Sequence, residues 1–201
     1  MKKRRPSLEK TTATRRKIIL AALQQFNLHG FAASKIANIA LAAGVAKGTI
    51  YSYFATKTAL FEGVIDYLIR ETYHPLQSTE ITASLAVKDF ILQQMRPTLA
   101  SLESAGRADI ARLILKEGEN FAEIRQMYYD KVYWPSYLEI KKLLQLAVQR
   151  GELKASSQLD QQALLIMAPI WMGMINNAML APEQPVDLQS LFQVQIEAIF
   201  A

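Results

Sequence analysis

The chain has 201 residues, 51% apolar and 20% charged, a balance that supports a sizeable core and excludes a globally disordered chain. It has no cysteine and two histidines, which excludes disulfides, thiolate nucleophiles, iron–sulfur clusters and cysteine zinc sites, and leaves little for a histidine metal site or triad. The net charge of +5 is segregated, because residues 1–57 hold eleven Lys/Arg against the single acid Glu9, whereas residues 58–201 hold twelve against seventeen acids. A basic end on a mildly acidic remainder is the footprint of a nucleic-acid-binding module joined to a separate body.

The opening Met-Lys-Lys-Arg-Arg-Pro is followed by a short apolar run, Ile18 to Leu23, without a small-residue cleavage pattern, so export is not expected. The basic residues Lys2, Lys3, Arg4 and Arg5 form a tail suited to a minor groove or a phosphate backbone. Helical periodicity begins with Ile19, Ala22, Leu23 and Phe26, after Arg15, Arg16 and Lys17, and Gly30 stops this helix. His29 and His74 sit beside Gly30 and Pro75 as helix-end residues. Ile36, Ile39, Ala40 and Ala43 repeat the pattern, with Ser34 as N-cap and Gly44 as stop. A short helix from about Lys47 to Phe54 follows. Thr56 then caps a fourth helix through Phe61, Val64, Ile65 and Leu68 to Pro75.

The polar stretch Gln77–Ser84 reads as a linker. Beyond it, helices are expected near 84–105, 107–118, 121–150, 158–180 and 187–200, with Pro97 and Pro135 kinking or breaking the first and third. Asn120 with Glu123 forms a capping-box pattern, Gly151 is a stop and Asp187 an N-cap. The apolar stretch Ala163–Leu180 is interrupted by Pro169, Gly173, Asn176 and Asn177 and falls short of a membrane span. A soluble, cytoplasmic protein is expected.

The informative segment is Ile36–Phe54. Two short amphipathic helices meet at Ala43-Gly44-Val45, where glycine permits a tight turn. Small Ala40 and Ala43 allow a steep approach, and Val45 and Ile50 plug the angle between the helices. That is helix-turn-helix construction, whose second helix enters the major groove. Its exposed face carries Lys47, Gly48, Thr49, Ser52 and Tyr53, whereas Ile36, Ile39, Ile50 and Phe54 belong to the core. Tyr51 fits either role.

From Arg16 to about Leu60 the wording resembles the TetR (tetracycline-repressor) family of bacterial regulators. The residues that carry it are Phe26…His29-Gly30-Phe31, Ile39-Ala40, Ala43-Gly44-Val45-Ala46-Lys47-Gly48-Thr49-Ile50-Tyr51-Ser52-Tyr53-Phe54 and Lys57…Leu60-Phe61. Ala46 stands where serine is common, and Thr58 where glutamate usually follows the lysine. The resemblance implies an all-α fold of about nine helices: a basic flexible tail at 1–14, a three-helix helix-turn-helix domain at 15–56, a connecting helix at 57–76, and a larger effector-binding and dimerisation domain at 84–201. It implies that Lys47, Gly48, Thr49 and Tyr51 face bases and that Ser34, Tyr53 and Lys57 grip phosphates. Helix N-termini at Ser34 and Thr56 suit phosphate on physical grounds as well.

Helix 158–180 is apolar nearly all round and needs cover on both sides. A second subunit supplies it, with Leu164, Met172 and Ile175 joined by Leu188, Phe192 and Ile196 of the last helix. A twofold dimer reading a palindromic duplex follows from the same reasoning. The aromatics and methionines Phe90, Met95, Phe121, Tyr128, Tyr129, Tyr133, Trp134, Met167 and Trp171 suit a pocket for a small, largely apolar effector, or else fill the core. No cofactor, metal site or catalytic group is expected. The reading is a ligand-released repressor, and the alternative is the same fold used as a DNA-bound scaffold or activator for a protein partner.

Overall fold

Helices make up most of the described chain. A computed structural model describes residues 8–72, 75–155 and 158–201; the basic residues Lys2–Arg5 and His74 lie outside them. The described residues hold ten α-helices and no strand: α1 (Leu8–Ala33), α2 (Ile36–Ala43), α3 (Lys47–Tyr53), α4 (Lys57–Thr72), α5 (Val87–Ala100), α6 (Arg107–Glu117), α7 (Ala122–Tyr128), α8 (Trp134–Gln149), α9 (Leu159–Ile175) and α10 (Leu188–Ile199). Helix α1 starts inside the segment expected as a flexible tail, ahead of Arg15.

Local signals account for most helix ends. Gly44 ends α2 at φ 65°, ψ 37°, and its N–H donates to Ala40 and Leu41. Gly151 follows α8 at φ 72°, with the Glu152 N–H returning to Ala147 O. Asp187 caps α10, accepting from Ser190 N. These hydrogen bonds from Ser190 hold its carboxyl below the usual carboxylate range. Thr56 Oγ1 accepts the Ala59 N–H at the start of α4.

Two expected caps are replaced. Lys35, not Ser34, occupies the N-cap position of α2, and it makes no side-chain cap bond. Helix α7 starts at Ala122, so the carbonyl of Phe121 takes the first helical bonds and Asn120 lies one residue too early for a capping box. Pro97 sits within the last turn of α5 without ending it. Pro135 acts as expected: the 121–150 helix divides into α7, a π-helical segment Tyr129–Tyr133 and α8. A proline cannot donate to the turn before it, and the wider π turn absorbs that loss.

The chain divides into two compact units, Met1–Glu71 with Asp109–Tyr128, and Thr72–Ala108 with Tyr129–Ala201. The first unit therefore takes in 109–128, which the sequence reading placed in the second domain. Its centre is an edge-on aromatic cluster, with Phe26–Phe61 at 5.3 Å, Phe31–Phe61 at 5.5 Å and Phe31–Phe121 at 5.1 Å between centroids. Ile18, Ile39, Ile50 and Leu60 are fully buried around it.

The second unit has its own core, in which Phe90, Ile91, Leu143, Ile166, Phe192 and Ile196 pack together. The polar stretch expected as a linker is tied to α8 and its C-terminal end: Ser78 N donates to Glu139 Oε2 at 2.8 Å, and Arg150, just past α8, donates to Thr82 O at 3.3 Å. Gly173 has a packing reason, since a Cβ there would overlap Leu188 of α10. The interruptions in the apolar stretch do not break it. Leu159–Leu180 runs as 22 helical residues that contain an 18-residue window of mean hydropathy 1.6, long and apolar enough to cross a membrane by length and composition, with 33% of that window buried.

Candidate nucleic-acid interface

Helix α3 is short, and its position is dictated by its apolar side. Ile50 is fully buried and Phe54, just past the C-terminus, is 5% exposed. The Val45 N–H donates to Ala40 O, closing the turn that leads from α2 to α3. The opposite side is left to solvent. Lys47, Gly48, Tyr51 and Ser52 are exposed, while Thr49 and Tyr53 are half-buried. Lys47 with Tyr51 and Gly48 with Ser52 are i, i+4 pairs, so the four form one continuous face. Tyr51 is resolved in favour of that face at 46% exposure, with the Lys47 ammonium 6.0 Å from its ring centroid. Ser52 Oγ donates back to Thr49 O, leaving its lone pairs outward.

Gly48 is informative because the fold does not require it. Its conformation is helical, and a Cβ there would meet nothing within 4 Å. A helical glycine costs about 0.5–1 kcal/mol relative to alanine. A residue that weakens its own helix and serves no internal contact fits a surface approached closely by another molecule.

The three residues expected on phosphates separate from this face in different ways. Ser34 is 3% exposed, and its hydroxyl donates to Gln25 O and Gly30 O at 2.9 and 2.6 Å, so the side chain is turned into the fold. Lys57 is half-buried, and its ammonium donates to Phe31 O, Ala32 O and Ser34 O at 2.7, 3.1 and 3.3 Å while lying over the Phe31 ring. It closes the end of α1 instead of projecting outward. Tyr53 stays at the margin. The exposed Lys35, which sequence reasoning passed over, stands at the start of α2 where Ser34 was expected to act. Arg15 lies over Phe54 at 5.1 Å and Arg16 over Tyr67 at 5.9 Å, so part of the basic end is engaged with rings.

The residues expected to line one effector pocket are distributed over both units. Phe121 and Tyr128 belong to the first unit and the other seven to the second. Phe90, Met95 and Met167 lie in the second unit's core. Tyr129, Tyr133, Trp134 and Tyr137 instead form a ladder of stacked rings, Tyr129–Trp134 at 5.8 Å and Trp134–Tyr137 at 5.1 Å, with Tyr129 and Trp134 39% and 41% exposed. A cleft of 290 Å³ in the first unit is lined by none of the nine; Asn27, His29, Asp109, Arg112, Lys116 and Glu117 are among its walls.

The interface residues divide as well. Leu188, Phe192 and Ile196 are 7%, 2% and 0% exposed and fill the core beneath α10. Leu164, Leu165 and Met172 are 46%, 50% and 51% exposed on one side of α9, and Ile175 is half-buried.

Comparison with known proteins agrees with the helix-turn-helix geometry. The family model described as bacterial regulatory proteins, tetR family, matches residues 18–64. A probable HTH-type transcriptional regulator, ArpR, of Pseudomonas putida is 28% identical over 188 residues, covering 92% of this chain and 88% of the relative. A probable acrEF/envCD operon repressor of Escherichia coli strain K12 is 36% identical over 86 residues, 43% of this chain and 37% of the relative. The fold is shared with a transcriptional regulator FadR from Bacillus subtilis solved in complex with stearoyl-CoA, at a TM-score of 0.70 and 22% identity over 92% of this chain and 97% of that one. Residues 18–64 thus match the DNA-binding segment of the tetR family of bacterial regulatory proteins, and over most of its length the chain is similar to HTH-type transcriptional regulators.

Proposed function

We propose that the chain is a cytoplasmic repressor that binds a palindromic duplex as a homodimer, using Lys47, Gly48, Tyr51 and Ser52 with Thr49 and Tyr53 at the edge of the face, and that a small, largely apolar effector releases it. The observation that carries the DNA part is the α3 face, exposed, cationic, hydroxyl-bearing and open at Gly48. An Arg/Lys-and-hydroxyl face on the second helix of a helix-turn-helix is what direct readout of base edges requires. Lys35 and the start of α2 take over the phosphate-gripping role first given to Ser34 and Lys57.

Dimerisation is supported by the stripe Leu164, Ala168 and Met172, spaced i, i+4, i+8, with Leu165 beside it on α9. Such an apolar face on a long exposed helix calls for cover, and a second copy across a twofold axis gives the pair of reading heads a palindrome needs. Repression is the role in the printed name of the Escherichia coli relative, and an acyl-CoA occupies the FadR neighbour. The scaffold reading draws on a different observation, the burial of Phe90, Met95 and Met167 in close packing.

Selection of bound duplexes from a random pool by the full-length chain tests the proposal. The expected product is an inverted repeat whose half-sites lie about 34 Å, or a multiple of it, apart. An unsymmetrical site would overturn the dimer, and no enrichment would overturn the DNA reading. Release of the selected duplex by a fatty acyl-CoA series separates sensor from scaffold: no release by any member would favour the scaffold.

A further inference from the structure

Glu117 is the last residue of α6, and its carboxylate does not face solvent alone. Oε1 accepts the Phe31 N–H at 3.0 Å and Oε2 accepts the Ala32 N–H at 2.7 Å. These two amides follow Gly30, where the regular part of α1 ends at φ 77°, ψ 174°. A Cβ at Gly30 would overlap Glu117 Oε1, so the missing side chain leaves the carboxylate its seat. Consecutive backbone N–H groups converging after a left-handed glycine form an anion-binding concavity. Here the anion is the chain's own.

The carbonyls of the same two residues accept from Lys57 at 2.7 and 3.1 Å. One short turn is thus held through its N–H groups by a carboxylate from α6 and through its C=O groups by an ammonium from α4. Charge-assisted hydrogen bonds of this kind are the strong ones. The turn leads directly into α2, and α3 follows α2 across the short turn closed by hydrogen bonds at Gly44 and Val45. The direction in which the chain leaves this turn therefore sets the direction in which the α3 face is presented.

We propose that Glu117 is a positioning residue for DNA reading: its carboxylate fixes the Phe31–Ala32 turn and through it the orientation of α2 and α3. The inference rests on the reading of α3 as the DNA-facing helix. It assigns a role to a residue some 86 positions downstream of the turn it holds, on a segment that the family resemblance placed in the effector-binding domain.

The geometry supplies its own test, because removing the carboxylate leaves an empty anion seat that a small carboxylate can refill. Amide hydrogen exchange and affinity for the selected duplex are measured on the full-length chain, as wild type and as Glu117→Ala, with sodium acetate or with sodium chloride at equal ionic strength. In Glu117→Ala the Phe31 and Ala32 amides should exchange at least tenfold faster, with Ile39 and Leu60 unchanged, and duplex affinity should fall about tenfold. Acetate should restore both; chloride should restore neither. Unchanged exchange at Phe31 and Ala32 would overturn the seat, and faster exchange with unchanged affinity would overturn the positioning role. Should Glu117→Ala fail to fold, Glu117→Gln is used. It keeps the volume but turns an NH2 group toward one of the two amides, and should speed that amide selectively while weakening duplex binding. A wild-type chain that binds no duplex would instead overturn the reading of α3, and the exchange data, which need no DNA, keep the two failures apart.

Discussion

The helix-turn-helix of the first unit and the α9–α10 pair of the second are both helical pairs rich in apolar residues, yet they assign their side chains differently. In α2 and α3, Ile39 and Ile50 go inward and Lys47, Gly48, Tyr51 and Ser52 go outward, as amphipathic spacing requires. In α9 there is no polar face to separate from an apolar one. Ile166 is fully buried and Leu165 is 50% exposed, though both are aliphatic neighbours on the same helix. Composition can say which face of a helix is wet only when the faces differ in composition. Where they do not, the partner helix decides.

The largest expected effect sharpens that contrast within α9 and α10. Phe192→Ala removes a 2%-exposed ring from the second unit's core and should cost about 3–5 kcal/mol of stability in thermal or denaturant unfolding. Met172→Glu, on the exposed stripe, should leave the fold intact and instead convert the proposed dimer to monomer in sedimentation velocity. Equal and severe destabilisation by both would mean that the exposed stripe is core as well.

Next in size is a comparison of two lysines of the first unit. Lys57→Met takes a cation from three carbonyls and should lower stability by about 1.5–3 kcal/mol. Lys47→Met removes an exposed cation and should leave unfolding unchanged while changing which duplexes are preferred. If Lys57→Met unfolded like wild type and lost only DNA affinity, the phosphate-gripping role would return to it.

Smaller still is Gly48→Ala. It should raise stability by about 0.5–1 kcal/mol through helix propensity and at the same time weaken duplex binding, because the new methyl occupies the open face. A gain in both would remove the argument that Gly48 exists for close approach.

Much of the fold was legible because its signals are local. Gly44, Gly151, Thr56 and Asp187 each act within a few residues of the helix end they specify. Pro135 also announced its break, although not the π-helical form the break takes. Ser34 shows where local reading fails. A serine beside a helix start can cap the next helix or bond back to the carbonyl four residues earlier, and both fit the same letters. Its bond to Gly30 O is the second kind.

Lys57 and Glu117 were opaque for another reason. Their partners are backbone groups 26 and 86 residues away, which carry no side-chain signature at all. The placement of Asp109–Tyr128 in the first unit rests on the same long-range packing, with Phe121 set against Phe31. The aromatics of the second unit share a chemical type but not one environment. Their division between a buried core and an exposed stack depends on the π-helical turn, which reorients Tyr129 and Tyr133 relative to a continuous α-helix.

The central claim is that the outward face of α3 reads DNA, and the salt dependence of binding to the selected duplex tests it most directly. For wild type, log affinity should fall linearly with log salt, with a slope of about −0.9 per phosphate neutralised. Lys47→Ala should bind more weakly and discriminate less between the selected duplex and a scrambled one. A flat salt response, or a Lys47→Ala chain indistinguishable from wild type in both affinity and discrimination, would contradict it.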